Sequence, residues 1–191
     1  DYFKGNTLDL GAGTAKYKNI IKPKTTSYTT YDMIPGQNID IVGDILNLEL
    51  KDNTYDTVIS TQVLEHVSRP WIMAKEISRI LKSGGHCIVT APFLVPFHSD
   101  PHDYFRYTTE GMSLLFSDAG LEIIDCKPYG GVFMVISEYI HFRFFNPYNK
   151  ELNKIQKKTF SIIQKILTFF EKIAGNTGIA YANVYLIAKK K

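Results

Sequence analysis

Residues 8–17 read LDLGAGTAKY, and this stretch decides the fold. An apolar strand leads directly into a turn that contains Gly11 and Gly13, and a helical pattern follows. Glycine takes a positive φ easily and lets another group approach the backbone closely. Free N–H groups at the start of the following helix can face a polar or anionic group. The stretch therefore predicts a strand, a turn that binds a ligand, and a helix.

The same turn indicates which ligands fit. The dinucleotide pattern G-x-G-x-x-G needs a third glycine where this chain has Lys16, so pyrophosphate binding is disfavoured. Asp9 stands immediately before the glycines, and a carboxylate there suits a cationic ligand better than a diphosphate. A tight strand-to-helix turn without a ligand is the alternative interpretation of this short motif.

Short apolar runs alternate with helical patterns and with glycine or proline through the first two thirds of the chain. This rhythm predicts an α/β fold with a mostly parallel sheet and helices on both faces. Ligands of such sheets bind outside the carboxyl ends of the strands. Strands are predicted at residues 6–10, 28–32, 39–42, 55–60, 86–92, 121–127 and 180–188.

Helix boundaries follow from capping residues and breakers. One helix is predicted with Ser68 as its N-cap, Pro70 in its first turn and Gly84 as its stop. A second begins after Thr108 as N-cap and ends at Gly120. Two further helices are predicted at residues 132–145 and 151–173.

Composition limits the class of protein. The 191 residues are 45% hydrophobic and 21% charged, which predicts one domain with one substantial core. The net charge of +3 is too small an excess to predict a nucleic-acid partner, and the sequence leaves the oligomeric state undetermined. Cys87 and Cys126 lie far apart without zinc-type spacing, so we expect reduced thiols in a cytoplasmic protein.

Targeting signals are not recognisable in the sequence. There is no signal-peptide pattern and no uninterrupted apolar run of about 18 residues, so we expect a soluble chain. The chain opens at Asp1 without an initiator Met and enters a strand within a few residues, so we expect that further sequence precedes it.

Two acidic residues at later strand ends strengthen the ligand hypothesis. Asp32 stands 19 residues beyond Gly13, where a carboxylate can accept both hydroxyls of a ribose. Asp44 can accept a hydrogen bond from an adenine amino group while Ile45 packs on the ring. Each aspartate can alternatively be a turn former.

Five motifs now carry a family resemblance. LDLGAG, YDM, GDILNL, YDTVISTQVLEHV and EISRILKSGGHCIVTAP, in this order and spacing, resemble the class I S-adenosylmethionine-dependent methyltransferases of the type 11-like group, over about residues 6–128. The resemblance implies a Rossmann-like sheet of seven strands, the last antiparallel, with a helical insertion before it. It implies S-adenosyl-L-methionine as cofactor and S-adenosyl-L-homocysteine as product.

The resemblance also implies the residues that bind the cofactor. The glycine turn lies against its amino acid part, Asp32 at the ribose, and Asp44 with Ile45 at the adenine. Ala15 stands where the family often has a third glycine. Glu65 and His66 of the LEHV motif could form a catalytic pair, although their spacing does not require one, and His66 could instead be a packing residue. The implied cofactor residues are Asp9, Gly11, Ala12, Gly13, Asp32, Met33, Asp44, Ile45, Thr61, Gln62, Val63 and His66.

The segment FHSDPHDYFRYT, residues 97–108, follows the fifth strand, where an acceptor would sit. We expect His98 or His102 to act as a base there, with Tyr104 beside them, because these groups suit proton transfer and hydrogen bonding near neutral pH. Arg106 and Tyr107 are expected to shape the acceptor pocket, although Arg106 could clamp the loop through Asp100 or Asp103. A polar loop without a catalytic role is the alternative.

A metal site in this segment is a third interpretation. Nitrogen and oxygen ligands are available, but nearby prolines argue against a helix that would align the two histidines, so we assign no metal ligands. The ligands considered are His98, Asp100, His102 and Asp103.

These expectations together predict an S-adenosylmethionine-dependent methyltransferase, an enzyme of the EC 2.1.1 type. Its acceptor is a small molecule or a lipid-linked group, for example a glycan hydroxyl or a quinone.

Residues 1–130 form the cofactor-binding core of a single domain 1–191, residues 131–178 a helical substrate cover, and residues 179–191 the final strand and basic tail. The basic amphipathic helix 151–173 either packs on the core or contacts a membrane surface. Alternatives are a non-catalytic binding or partner protein with this fold, and a nucleotide-dependent oxidoreductase, which Lys16 disfavours.

Overall fold

Strand β1, formed by Asn6–Leu10, lies inside the sheet between two parallel neighbours. The computed structural model describes residues 2–99, 101–145, 152–175 and 178–191. The other strands are β2 (Ser27–Asp32), β3 (Ile41–Val42), β4 (Tyr55–Thr61), β5 (Leu81–Pro92), β6 (Leu121–Tyr129) and β7 (Asn183–Lys190). The helices are α1 (Lys18–Ile21), α2 (Pro70–Ile80), α3 (Thr109–Asp118), α4 (Val132–Ile140) and α5 (Lys154–Ala174), with 3-10 turns at Lys22–Lys24 and Leu64–His66 and a π-helical turn at His141–Phe145.

The sheet has the strand order β3-β2-β1-β4-β5-β7-β6. Strands β1 to β5 pair in parallel, and β7 runs antiparallel between β5 and β6. The chain therefore reverses its strand order after β3, when β4 pairs on the other side of β1. A reversal of this kind leaves a crevice at the carboxyl ends of the strands. The predicted seven-stranded, mostly parallel fold with an antiparallel last strand is confirmed.

Both faces of the sheet are covered by helices. Successive residues of a strand point to opposite faces, and Val58 and Ile59 of β4 accordingly belong to two different apolar clusters. Helices α2 and α3 supply the larger cluster, in which Ile77 and Phe116 are fully buried. Helix α1 supplies Ile21 to the smaller cluster. These two layers hold the strand ends at fixed positions.

Two predicted boundaries of α2 are wrong. Arg69, not Ser68, is the N-cap, and its side chain makes no capping hydrogen bond. The helix ends at Ile80 rather than near Gly84, because Leu81 is fully buried and pairs with Tyr55 of β4. The predicted cap of α3 is confirmed.

Helices α4 and α5 form the insertion between β6 and β7. Glu171 of α5 accepts hydrogen bonds from the backbone N–H groups of Phe133 (2.9 Å) and Met134 (3.2 Å), and this carboxylate caps the start of α4. None of the described residues of α5 is buried. In the described ranges, no helix has both the length and the apolar character that crossing a bilayer requires.

The segment that follows β3 is held against α2 by a charged pair. Glu76 accepts from the backbone N–H of Leu48 (3.0 Å) and from Arg79, which in turn donates to the carbonyls of Leu48 (2.8 Å) and Leu50 (2.7 Å). These bonds lower the pKa of Glu76 below its usual value of 4.5. They secure the backbone just beyond Asp44, which lines the cleft described below.

We expect Glu76→Gln to lower the free energy of unfolding at pH 7 by about 1–2 kcal/mol, because a charge-assisted hydrogen bond becomes a neutral one. A carboxylate with a lowered pKa stabilises the fold fully above its unfolded value of 4.5, and this stabilisation is lost as the pH falls through the folded value. Urea unfolding of both proteins should therefore differ at pH 7 and converge towards pH 3. An equal difference at both pH values would contradict this account.

Candidate functional site

A cleft of about 520 Å³ opens at the carboxyl ends of β1, β2 and β4, on the edge where the strand order reverses. Five short segments supply its walls: the glycine turn after β1, the segment after β2, the segment after β3, the turn after β4, and part of the polar segment after β5. The lining residues of these segments are Gly11, Gly13 and Thr14; Tyr31 and 32–36; 44–46; 62–63 and 66–68; and Pro101, His102 and Tyr104.

The end of β2 holds the glycine turn. The N–H groups of Gly11 (2.8 Å) and Ala12 (3.1 Å) both donate to the carbonyl of Tyr31, and the N–H of Gly13 donates to the carboxylate of Asp32 (2.8 Å). These three N–H groups of the turn are therefore already bound by β2. The turn instead contributes shape.

That shape depends on the missing side chains of the two glycines. Gly11 has a φ of +76°, and a Cβ built there would lie 2.4 Å from Cγ2 of Val63. Gly13 has a φ of +54°, and a Cβ there would meet no described atom within 4 Å. Ala15, where the family often has glycine, takes a φ of +54° as well. Gly11 thus makes room for the turn after β4, and Gly13 borders the open cleft.

Two predicted acids face the cleft with acceptor capacity. Asp32 accepts from the N–H of Ile34 (3.0 Å) with its second oxygen, and Asp44 accepts from the N–H of Leu46 (2.8 Å) with one of its oxygens. Each carboxylate oxygen has two lone pairs, so further hydrogen bonds can be accepted. Beside them Met33 is 67% exposed, which gives the polar rim an apolar surface.

Three predicted cofactor residues do not line the cleft. Asp9 is buried and accepts a hydrogen bond from the hydroxyl of Tyr28, and burial raises its pKa. Its carboxylate therefore faces the interior rather than a ligand. The N–H of Ala12 donates to the end of β2, and Thr61 pairs with Thr90 of β5.

The turn after β4 is strained and well anchored. Gln62 has a φ of +57°, a conformation that costs a residue other than glycine about 1 kcal/mol. Its backbone N–H donates to the carbonyl of Thr90 (3.0 Å), and its side chain donates to the hydroxyl of Thr90 (3.2 Å) and to that of Tyr129 (3.5 Å). These contacts hold Gln62 and Val63 at the cleft.

The segment after β5 reaches the cleft through His102 and Tyr104. The N–H of Tyr104 donates to the carbonyl of Glu65 (2.8 Å), and Nδ1 of His66 is hydrogen bonded to the carbonyl of His102. The rings of His102 and Tyr104 are 5.4 Å apart. His66, His102 and Tyr104 thus share one wall of the cleft.

Arg106 and Tyr107 do not reach the cleft. Arg106 pairs with both oxygens of Asp103 and donates to the carbonyls of Val95 (3.2 Å) and Pro96 (3.1 Å), so it acts as a clamp of the loop. Tyr107 is buried, and its hydroxyl donates to a backbone carbonyl at 3.2 Å. Both side chains donate hydrogen bonds to backbone carbonyls and thereby hold the segment in place. Asp100 lies outside the described residues.

Sequence reasoning considered Glu65 only as half of a catalytic pair with His66 and did not assign it to the site. It is fully buried, and within the described ranges neither carboxylate oxygen accepts a hydrogen bond from another residue. Burial raises its pKa. Nε2 of His66 lies 3.7 Å and Nε2 of His98 3.9 Å from Oε1 of Glu65. The LEHV motif was the available signal, but the contact with His98 joins residues 33 positions apart.

The two glycines give a matched pair of substitutions. We expect Gly11→Ala to destabilise the fold by more than about 2 kcal/mol, since it combines a positive φ with a clash against Val63. Gly13→Ala has only the cost of its φ, about 1 kcal/mol. Thermal unfolding measures both effects.

Ligand titration distinguishes the two positions further. Gly13→Ala should weaken S-adenosylmethionine binding at least about 10-fold, because its methyl group projects into the cleft. A folded Gly13→Ala protein with unchanged affinity would show that the ligand does not approach this turn.

Comparison with known proteins agrees with this geometry. Residues 8–89 match the family described as a methyltransferase domain. An 88-residue stretch is 38% identical to an uncharacterized protein of Methanocaldococcus jannaschii, covering 43% of this chain and 38% of that relative. The chain thus spans well under half the length of the curated relative that it matches.

Solved structures share the fold over nearly the whole chain. A SAM-dependent methyltransferase from Archaeoglobus fulgidus superposes with a TM-score of 0.65 at 14% identity, covering 99% of this chain and 88% of that one. Phosphoethanolamine N-methyltransferase 2 of Haemonchus contortus, in complex with S-adenosyl-L-methionine, gives 0.61 at 14% identity, covering 100% and 49%. The resemblance to S-adenosylmethionine-dependent methyltransferases is thus supported by the domain match over residues 8–89 and by the shared fold, and S-adenosylmethionine is the cofactor that these matches support.

Proposed function

We propose that this chain, whose residues 8–89 match a methyltransferase domain, transfers a methyl group from S-adenosylmethionine to an acceptor held beside the segment after β5. The observation that carries the proposal is the cleft itself. One cavity collects the glycine turn, Asp32 and Asp44 from three strand ends at the point where the strand order reverses. We assign residues 1–130 to the cofactor core and residues 131–178 to the substrate cover.

The lining residues suggest an orientation for the cofactor. Asp32 can accept from the ribose hydroxyls, and Asp44 can accept from the adenine amino group. Ile45 and the exposed Met33 offer apolar contact to the ring. Gly13 then lies beside the amino acid part. This order directs the sulfonium methyl towards the wall formed by His66, His102 and Tyr104.

The chemistry needs alignment more than covalent catalysis. An acceptor atom forms a bond to the methyl carbon as the carbon–sulfur bond breaks, and the electron pair of that bond stays on sulfur. When the acceptor is a hydroxyl, its proton must also pass to a base. His102 lines the cleft and can take this proton, and Tyr104 can hydrogen-bond the acceptor. His98 lies behind them, next to Glu65.

The helical cover suggests an acceptor that is lipid-linked or delivered at a membrane surface. Phe160 and Phe170 of α5 pack towards the α4 side, with ring centroids 4.5 Å from His141 and 5.7 Å from Phe133. A separate stripe at helical spacing stays exposed, and lysines flank it. The stripe consists of Ile155, Ile162, Ile166, Phe169 and Ile173.

This arrangement favours peripheral contact with an anionic membrane surface. Cys87 and Cys126 are free thiols, which suits a cytoplasmic site of action. A quinone or a lipid-linked glycan hydroxyl at the membrane surface would reach the cleft from the side of the insertion. A free small molecule is the other acceptor class that the cleft admits.

The function is tested by isothermal titration with S-adenosylmethionine. Asp44→Asn keeps an oxygen for the N–H of Leu46 but replaces the other acceptor by an NH₂ donor. We expect it to weaken binding about 10-fold, which corresponds to one lost hydrogen bond. Asp118→Asn, an exposed aspartate at the end of α3, is the control and should bind as the unmodified chain does. Absence of binding at millimolar ligand would overturn the proposal.

The proposed role of His102 as a base is tested by measuring methyl transfer as well as cofactor affinity. His102→Ala should lower methyl transfer from labelled cofactor to hydroxylated acceptors, with a smaller effect on cofactor affinity, because its imidazole serves the acceptor side. Hydroxyquinones and glycan hydroxyls are the acceptor panel. An equal loss of affinity and transfer would assign His102 to cofactor binding instead.

Membrane contact is tested by cosedimentation with vesicles. The double substitution Phe169→Ser and Ile173→Ser removes two large exposed apolar side chains and should abolish binding to phosphatidylglycerol vesicles. Ile20→Ser, at a similarly exposed position on α1, is the matched control. If the control loses binding equally, or the double variant keeps it, α5 is not the contact surface.

A further inference from the structure

Three side chains from two distant segments meet beside the cleft. Glu65 and His66 belong to the 3-10 turn after β4, and His98 comes from the segment after β5. One ligand atom from each lies within 4.8 Å of the other two. Both Nε2 atoms are 3.7–3.9 Å from the same oxygen of Glu65. We refer to these three residues as the Glu65 cluster.

The carboxylate of this cluster lacks a compensating partner. It is fully buried, and across the described part of the chain no other residue donates a hydrogen bond to either oxygen. A buried carboxylate without partners costs several kcal/mol, so native structures pair it, protonate it or bind a metal ion with it. Arg106 does not donate to this carboxylate, because its guanidinium group is bound to Asp103.

Both imidazoles are oriented towards the same point. Nδ1 of His66 is hydrogen bonded to the carbonyl of His102, and Nδ1 of His98 to the carbonyl of Pro96 (2.9 Å). A carbonyl only accepts, so the proton of each neutral ring is on Nδ1 and the lone pair is on Nε2. Metal-binding histidines characteristically have their second nitrogen held in this way by a carbonyl or carboxylate.

Two neighbouring polar groups are excluded from the cluster by their own contacts. Asp103 is neutralised by Arg106 and also accepts from the N–H of His98 (2.8 Å). The hydroxyl of Tyr107 donates to the carbonyl of Leu64. The ligand set earlier considered in residues 98–103 therefore differs from the one that the fold assembles, which has only His98 in common with it.

We propose that Glu65, His66 and His98 bind a divalent transition-metal ion. Ligand atoms about 2.1 Å from a tetrahedral zinc ion are about 3.4 Å from each other. The separations of 3.7 and 3.9 Å from Glu65 require a small contraction, and the two histidine nitrogens, which lie within 4.8 Å of each other, must also approach. Two imidazoles and one carboxylate form a ligand set suited to Zn²⁺ or Fe²⁺ rather than to Ca²⁺ or Mg²⁺. Three protein ligands leave at least one coordination position open.

The location of the cluster suggests what the open position binds. His66 lines the cofactor cleft, while the ring of His98 lies 5.7 Å from that of Phe142 in the insertion. The ion would thus lie between the cofactor and the helical cover. An acceptor oxygen bound there would lose its proton more readily, because a cation lowers the pKa of a bound hydroxyl. This role rests on the proposed function, whereas metal binding does not.

Metal binding is tested on the full chain after removal of metals with a chelator. Titration with Zn²⁺ alone should show one ion per chain, and Co²⁺ should give the visible absorption of a site with imidazole ligands. Glu65→Gln keeps the shape of the side chain and should weaken Zn²⁺ binding at least about 100-fold, as should His98→Ala, since each removes a direct ligand. His102→Ala removes a neighbouring imidazole outside the cluster and should change the affinity less than about 3-fold.

The outcomes separate this site from the methyltransferase assignment. Titration with S-adenosylmethionine is repeated on the same metal-free samples, which are expected to bind it. Cofactor binding without stoichiometric Zn²⁺ would overturn the metal site and leave the proposed function intact. Zn²⁺ binding that survives both Glu65→Gln and His98→Ala would also overturn the site. Circular dichroism shows whether each variant is folded. If one of the two variants is unfolded, the Zn²⁺ affinity of the other tests the site.

Discussion

The hydrogen bonds between the end of β2 and the glycine turn are the constraint on which the site depends. The carbonyl of Tyr31 accepts from Gly11 and Ala12, and the carboxylate of Asp32 accepts from Gly13. One strand end thus holds the floor of the cleft and supplies one of its acids. A loosened β2 would move the glycine turn, Asp32 and the turn after β4 together, because Val63 packs against Gly11.

Local signals identified residues in each of the three segments that line the cleft at the ends of β1, β2 and β3. The strand before Gly11, the positions of Asp32 and Asp44, and the cap at Thr108 follow from residues near each other in the chain, and all lie where the sequence predicted them. The end of α2 was missed because Leu81 is drawn into the sheet by pairing with Tyr55, a contact between distant residues.

The wall formed by the segment after β5 depends on contacts that a sequence pattern does not contain. Arg106 and Tyr107 resemble pocket residues in sequence, yet their donors are bound to carbonyls and carboxylates of their own segment and of the preceding turn. Glu65 was recognised only beside its neighbour His66, because His98 approaches it from the segment after β5. Existing hydrogen bonds, rather than residue type, separate the structural side chains of this region from the chemically available ones, since Arg106 and Tyr107 are bound and the oxygens of Glu65 are not.

A crystal structure of the chain with S-adenosylhomocysteine tests most directly how the cofactor lies in the cleft. We expect adenine beside Ile45 and Met33, the ribose hydroxyls at Asp32, and the sulfur directed towards His66 and His102. That direction would place the transferred methyl group next to the segment after β5 and the Glu65 cluster. A ligand bound outside the cleft, or one with its adenine at His102, would contradict the account.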